Sequence, residues 1–378
     1  MYNDVKDLID SQGCFAEVMA EAETIKATIG IVHPRGKNAF DGALSATSRG
    51  KVVLIGPEKL IRWAAKENNV NIDIPNISIH DVDVNLDGIT WSVIDKIKDM
   101  TDADHAMELA ASKTAHDLAI NGDINVIMKG SLTSPSFLKG LVSKKMMAKG
   151  RRVSHIFFKG CDNGVSVFTD VAVNNGYLNG KLRSKIIENA VDAKQVLFPK
   201  KGDLQIAYLN EKDLSNHEDM YTKEQATEEI QKLNIKYGFN ADYDEENDND
   251  LLDFSKELVD ELTISNEEYL QDHLQALHYL NAQDGINVKF DKYDFSIDDN
   301  AYDIFNFSDM DSGNKVYHSF RYYNQQFLNL GMRGNLINPG LIIGFNVPVV
   351  LTSRQDDATN RDMSIAIALV YHARKNKS

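Results

Sequence analysis

Near the carboxyl end of the chain, Ser353 and Arg354 stand where the apolar run VPVVLTSR, Val347 to Arg354, gives way to a helical pattern. A hydroxyl and a guanidinium there suit phosphate chemistry, because ligands of open α/β sheets bind outside the carboxyl ends of strands, where helix N-termini offer backbone N–H groups to anions. Asp356 and Asp357 follow before the helix begins. An equally open reading makes Asp357 a plain helix cap and Arg354 a surface charge. A second candidate is MKGSLTSPSFLKG, Met128 to Gly140, with Lys129 and Gly130 at a strand end and Ser131, Thr133, Ser134 and Lys139 behind them. Small polar residues and lysines in such a turn can hold an anion, although many strand-turn-helix junctions share this composition. The basic cluster Lys144, Lys145, Lys149, Arg151 and Arg152 fits a solvated loop as readily as a diphosphate contact.

Other chemistries lack their motifs. No G-x-G-x-x-G follows a strand and no G-x-x-x-x-G-K-[ST] occurs, which weakens a dinucleotide or P-loop reading. H-E-x-x-H and G-x-S-x-G are also missing. The run Asp242, Asp244, Glu246, Asp248, Asp250 imitates a calcium loop but lacks the glycine at position six and the glutamate at twelve, so it reads as a solvated surface insertion. Cys14 and Cys161 have no metal-ligand spacing and read as free buried thiols. No metal site is expected.

The elements that must position these residues alternate. ATIGIVH, Ala27 to His33, predicts a strand, Phe40 to Ser48 a helix, KVVLIG from Lys51 a strand, and Glu58 to Glu67 a helix. Asp102 to Asn121 has helical apolar spacing, and INVIMKG reads as a buried strand. Strands follow at Ser154 to Phe158 and in VSVFTDVAVN, then a helix at Arg183 to Ala193 and a strand at Leu204 to Leu209. From about Asn210 to Asp299 long acidic helices or irregular structure are expected; alternation resumes at YDIFNFSD and closes with a helix from Ala358 to Lys375. Near-continuous apolar strands alternating with helices predict parallel sheet covered on both faces.

A chain of 378 residues exceeds what one core usually organises, so two domains are expected. No signal-peptide pattern or bilayer-length apolar run appears, which points to the cytoplasm. A net charge of −15 argues against nucleic acid or an anionic membrane as partner. Lys201 to Ser312 alone carries −21, from 8 lysines against 29 carboxylates, so the remainder carries +6 and suits phosphate-rich ligands.

MKGSLT, GRRVSHIFF, VFTDVAVN, SDMDSGN and VPVVLTSR occur in an order and spacing that resembles the phosphate acetyl/butyryltransferases, nearest the butyryl branch. The resemblance covers roughly Ala27 to Leu209 and Tyr302 to Ala373. It implies a two-domain α/β/α fold like that of isocitrate and isopropylmalate dehydrogenases, with mostly parallel sheets, an interdomain cleft and a homodimer. One domain would comprise residues 1–160 with 343–378; the other, 161–342, would carry an acidic insertion at about 210–299. The implied reaction moves a short acyl group between coenzyme A, a substrate here, and inorganic phosphate, with no tightly bound cofactor. The resemblance assigns Ser353 to the oxyanion or thiol, Arg354 to the phosphate and Asp356 to the base. It gives Lys129, Gly130, Ser131 and Thr133 to the substrate-binding turn and puts Lys139 where the family has an arginine. Asp309, Gly313 and Asn314 match its D-L-x-x-G-N turn, and Thr169, Asp170 and Asn174 its T-D-x-x-V-N segment. Two departures support a rival reading, a catalytically impaired relative that binds coenzyme A or acyl phosphate. Asn360 stands where the acetyl branch has its proposed base, and no D-G-P-x-x-x-D precedes Tyr302. A β-decarboxylating dehydrogenase on the same fold would need metal-binding aspartates, and that pattern is not visible.

Overall fold

The computed structural model describes residues 13–93, 100–161, 164–170, 173–174, 180–200, 202, 204–209, 288–292, 302–307, 313–319, 338–352, 356 and 358–376. The chain divides into two compact units, a first of Ala16–Ala148 with Pro339–Ser378 and a second of Met1–Phe15 with Lys149–Asn338.

The first unit opens with α1 (Ala16–Thr24), β1 (Ala27–Val32), α2 (Lys37–Ala46), β2 (Gly50–Gly56), α3 (Glu58–Glu67) and β3 (Ile77–Asp81). It continues with α4 (Asp102–Ile120), β4 (Val126–Lys129) and α5 (Ser134–Leu141). All four strands run parallel in the order β3-β2-β1-β4. Their apolar content explains this: β4 is buried at every residue, as a strand covered on both faces must be. A capping box starts α4, with Thr101 Oγ1 accepting from Asp104 N at 3.1 Å while Thr101 N donates back to the Asp104 carboxylate at 3.0 Å. Helix α5 lies close on α4 because Gly140 has no side chain; a Cβ there would stand 2.3 Å from Ser112 Cβ.

The second unit contains β5 (Ser154–Cys161), β6 (Gly164–Thr169), α6 (Gly180–Leu197), β7 (Leu204–Leu209), β8 (Val288–Lys292), β9 (Ile304–Phe307) and a helix at residues 313–319, α7. Its strand order is β5-β6-β9-β7-β8, parallel except for the β5-β6 hairpin. Phe157, Phe168, Phe305 and Phe307 cluster there, with Phe168 stacked on Phe305 at 4.5 Å and Val316 and Tyr317 of α7 packed against the group. Strand β8 corrects the expectation of helix or irregular chain up to Asp299. The rest of the acidic stretch lies outside the described residues.

The chain then returns to the first unit through β10 (Gly340–Ile343), β11 (Val349–Val350) and α8 (Ala358–Lys375). Strand β11 pairs parallel with β4 and antiparallel with β10. It is shorter than the apolar run Val347 to Arg354 suggests; Pro348, just before it, has no N–H to give and only accepts, from Ile127 N at 3.2 Å. Helix α8 is buried at every residue from Arg361 to Tyr371, which is why its apolar pattern runs all round rather than along one stripe.

Candidate active site

Three parallel strands of the first unit, β1, β4 and β11, end at one edge. The β1-β4 register pairs Val32 with Lys129 and the β4-β11 register pairs Met128 with Val350. Continued one residue further, the β1-β4 register sets Gly130 beside His33, while Thr352 follows β11 by two residues. The hydrogen bonds Gly130 N to Val32 O, 2.9 Å, and Ser131 N to His33 O, 3.1 Å, carry the β1-β4 ladder that far. Gly130 is required by this crossing, since a Cβ would fall 2.2 Å from Val32 O and 2.9 Å from His33 O.

Lys129 is buried, and its Nζ donates to Leu132 O at 3.1 Å. Ser131 Oγ accepts from Arg35 N at 3.0 Å and Gly36 N at 2.9 Å, so this hydroxyl holds the turn that leads from β1 into α2. Thr133 caps α5, accepting from Ser136 N at 3.3 Å, while its own N and Oγ1 donate to Glu108 Oε2 at 3.1 and 2.8 Å. Lys139 sits half-buried in the last turn of α5. Asp356 is buried and its carbonyl accepts from Arg361 Nε at 3.1 Å. Ser353, Arg354 and Asp357 lie outside the described residues, as does Asp309. Gly313 and Asn314 open α7 in the second unit, the glycine buried and the asparagine half-buried.

The sequence reading stopped β1 at His33 and passed over the residues that follow. His33 is buried, adopts φ 52°, and neither ring nitrogen has a hydrogen-bond partner. A non-glycine residue with positive φ is uncommon and persists where neighbours over-determine it. Here His33 N donates to Ile55 O at 2.7 Å while His33 O accepts from Ser131 N. Burial, reinforced by the charge of Arg35 and opposed by Asp104, lowers the His33 pKa from 6.5 to about 3, leaving a neutral imidazole. Arg35 is also buried, its guanidinium donating to the carbonyls of Ser92, at 3.0 Å, and Thr90. Thr352 Oγ1 is buried with no partner. The sequence signal for His33 and Arg35 was a polar H-P-R-G turn directly after an apolar strand.

In the second unit Asp170 closes the turn after β6, accepting from His155 N at 3.1 Å, Val173 N at 3.3 Å and Asn174 N at 3.0 Å. Arg152 Nε donates to Asn174 Oδ1 at 2.6 Å. Arg152 is thus buried rather than solvated, whereas Lys144, Lys145 and Lys149 are exposed. Among the described residues no group of three or more His, Cys, Asp or Glu stands where it could hold a metal ion.

No family model matches the chain. The phosphate acetyltransferases of Rickettsia felis and Rickettsia typhi are 25% and 26% identical to it over 372 residues, spanning 96% of this chain and 86% of each relative. Among solved structures, the branched-chain phosphotransacylase from Enterococcus faecalis V583 shares the fold at TM-score 0.53 and 17% identity, over 92% of this chain and 99% of that one. The EutD phosphotransacetylase from Staphylococcus aureus does so at TM-score 0.53 and 14% identity, over 98% and 100%. These likenesses do not single out the butyryl branch. The chain is thus similar to phosphate acetyltransferases over nearly its whole length, and it shares its fold with solved phosphotransacylases.

Proposed function

We propose that this protein is an enzyme that transfers a short acyl group between coenzyme A and inorganic phosphate. The observation that supports this most is the likeness to phosphate acetyltransferases across 96% of the chain. The carboxyl edge of β1, β4 and β11 adds a suitable place, with buried Lys129 and the glycine turn of Gly130 beside the strand that runs toward Ser353 and Arg354.

In this reading the Asp356 carboxylate takes the thiol proton of coenzyme A and the thiolate adds to the acyl phosphate carbonyl. As the C–S bond forms, the carbonyl electrons move onto oxygen; their return breaks the C–O bond and phosphate departs. Arg354 offsets charge on that phosphate, Lys129 adds a second cation, and Ser353 orients the sulfur or the oxyanion. Lys139, Asp309, Gly313 and Asn314 complete the binding set. The protein acts in the cytoplasm as a homodimer, and no helix among the described residues is long and apolar enough to cross a membrane.

Two measurements test this. Thioester formation from coenzyme A with acetyl, propionyl and butyryl phosphate should proceed; binding of coenzyme A without turnover on any of them would favour the rival, a binding protein. Arg354→Ala should lower kcat about 10²- to 10³-fold, the usual loss for a charge-stabilising donor, with the melting temperature unchanged. Wild-type turnover in that variant would remove Arg354 from the site.

A further inference from the structure

The carboxyl edge of the first unit holds two polar side chains that the scheme above does not use. His33 and Thr352 are 1% and 4% exposed, and neither the imidazole nitrogens nor the threonine hydroxyl makes a hydrogen bond. Buried polar groups are nearly always paired, and an unpaired one calls for an explanation, of which a role in catalysis is one. His33 stands beside Gly130, whose missing Cβ lets the backbone of β1 and β4 close up there, and Thr352 lies two residues past the end of β11, the strand paired on the other side of β4. His33 is held in a left-handed conformation by bonds to both flanking strands, through Ile55 O and Ser131 N, so the fold sets its backbone rather than leaving it to relax.

We infer that His33 and Thr352 are the donors that receive the acyl carbonyl oxygen, an inference that rests on the acyl-transfer reading. The chemistry selects the carbonyl over the phosphate. A phosphate dianion needs cations, which Lys129 and Arg354 supply; an uncharged N–H and O–H match a neutral carbonyl in the ground state and strengthen as charge develops on its oxygen. The depressed pKa of His33 agrees, because the ring stays neutral at physiological pH with Arg35 close by. A neutral imidazole can polarise a carbonyl without giving up its proton. No proton is transferred to the oxygen: it carries the electron pair while the C–S bond forms and returns it as phosphate leaves. Ser353 is then free to serve the thiol.

The test uses the full-length protein and the variants His33→Phe, His33→Asn and Thr352→Val. Steady-state rates are measured with coenzyme A and acetyl or butyryl phosphate. The stretching frequency of a ¹³C-labelled carbonyl is recorded by difference infrared spectroscopy on bound acyl-coenzyme A. His33→Phe should lower kcat about 100-fold and Thr352→Val about 10-fold, magnitudes typical of losing one oxyanion donor, while KM for coenzyme A changes less than about twofold. His33→Asn, which keeps an N–H donor, should recover part of the loss. The carbonyl frequency should be lower on wild-type protein than in water and rise again in His33→Phe. A folded His33→Phe protein with wild-type kcat, or with an unchanged carbonyl frequency, overturns the inference. Should His33→Phe not fold, Thr352→Val carries both measurements. A wild-type protein that forms no thioester sinks the acyl-transfer reading by itself. The infrared arm then decides the inference alone: a His33-dependent shift upholds it, and no shift, or no binding of acyl-coenzyme A, overturns it.

Discussion

A buried neutral histidine makes stability depend on pH in a direction that can be worked out. The unfolded chain takes up a proton at its ordinary value of 6.5, whereas folded His33 resists until about 3. Between these values the unfolded state binds more protons, so falling pH favours unfolding, with a slope approaching about 1.4 kcal/mol per pH unit from this residue. Arg35 and Asp104 are the charged groups acting on the ring, the first lowering its pKa and the second raising it. Denaturant unfolding of wild type and His33→Phe at pH 7, 6, 5 and 4 isolates the term. The stability of wild type relative to the variant should drop by roughly 3 kcal/mol between pH 7 and pH 4, and a difference flat with pH would show that His33 protonates freely. None of this was legible in the sequence. A lone histidine after an apolar run looks like any strand end, and its burial and lack of partners arise only when β2, β4 and the turn to α2 close around it.

Helix α8 shows what periodicity captures and what it omits. Its bounds, Ala358–Lys375, follow from its apolar spacing, as those of α3 and β7 do. The tie that fixes it against α2 does not, because Arg49 and Asp362 are 313 residues apart in sequence. Arg49 Nη2 donates to Asp362 Oδ2 at 2.8 Å, Nη1 and Ser45 Oγ donate to Oδ1, and both charged side chains are under a tenth exposed. Removing one partner of such a pair strands the other charge in the core. Arg49→Met should therefore cost about 3–5 kcal/mol, while Arg49→Met with Asp362→Leu should cost clearly less than the sum of the two single changes. Additive losses in a double-mutant cycle would mean the two charges do not support each other. Strand β11 is the reverse case. Its apolar run reads as eight residues of strand, yet Pro348 restricts the ladder and, among the described residues of that run, Val349 and Val350 alone belong to it.

Across the whole molecule, strand-helix alternation was enough to read a mostly parallel α/β fold. The crossing of β1 and β4 at Gly130, and the polar groups gathered there, depended on strand order that no local pattern encodes. Charge, in contrast, is fully legible and carries a functional consequence. Residues Lys201 to Ser312 hold −21 while the rest of the chain holds +6, and the proposed substrates, coenzyme A and acyl phosphate, are both anions. A block of carboxylates slows the approach of anions over distances set by the Debye length, about 30 Å at 0.01 M ionic strength and 8 Å at 0.15 M. Deleting Asn240 to Ser255 removes seven carboxylates and no lysine or arginine, changing the net charge from −15 to −8. We predict that the shortened protein stays soluble, elutes from an anion exchanger at lower salt, and keeps its kcat. Its KM for coenzyme A should fall below the wild-type value at 0.01 M ionic strength, with the two values converging at 0.15 M, where screening is already strong. An insoluble product would make the segment part of a folded core, and a KM ratio that ignores salt would mean its charge is not felt by the substrate.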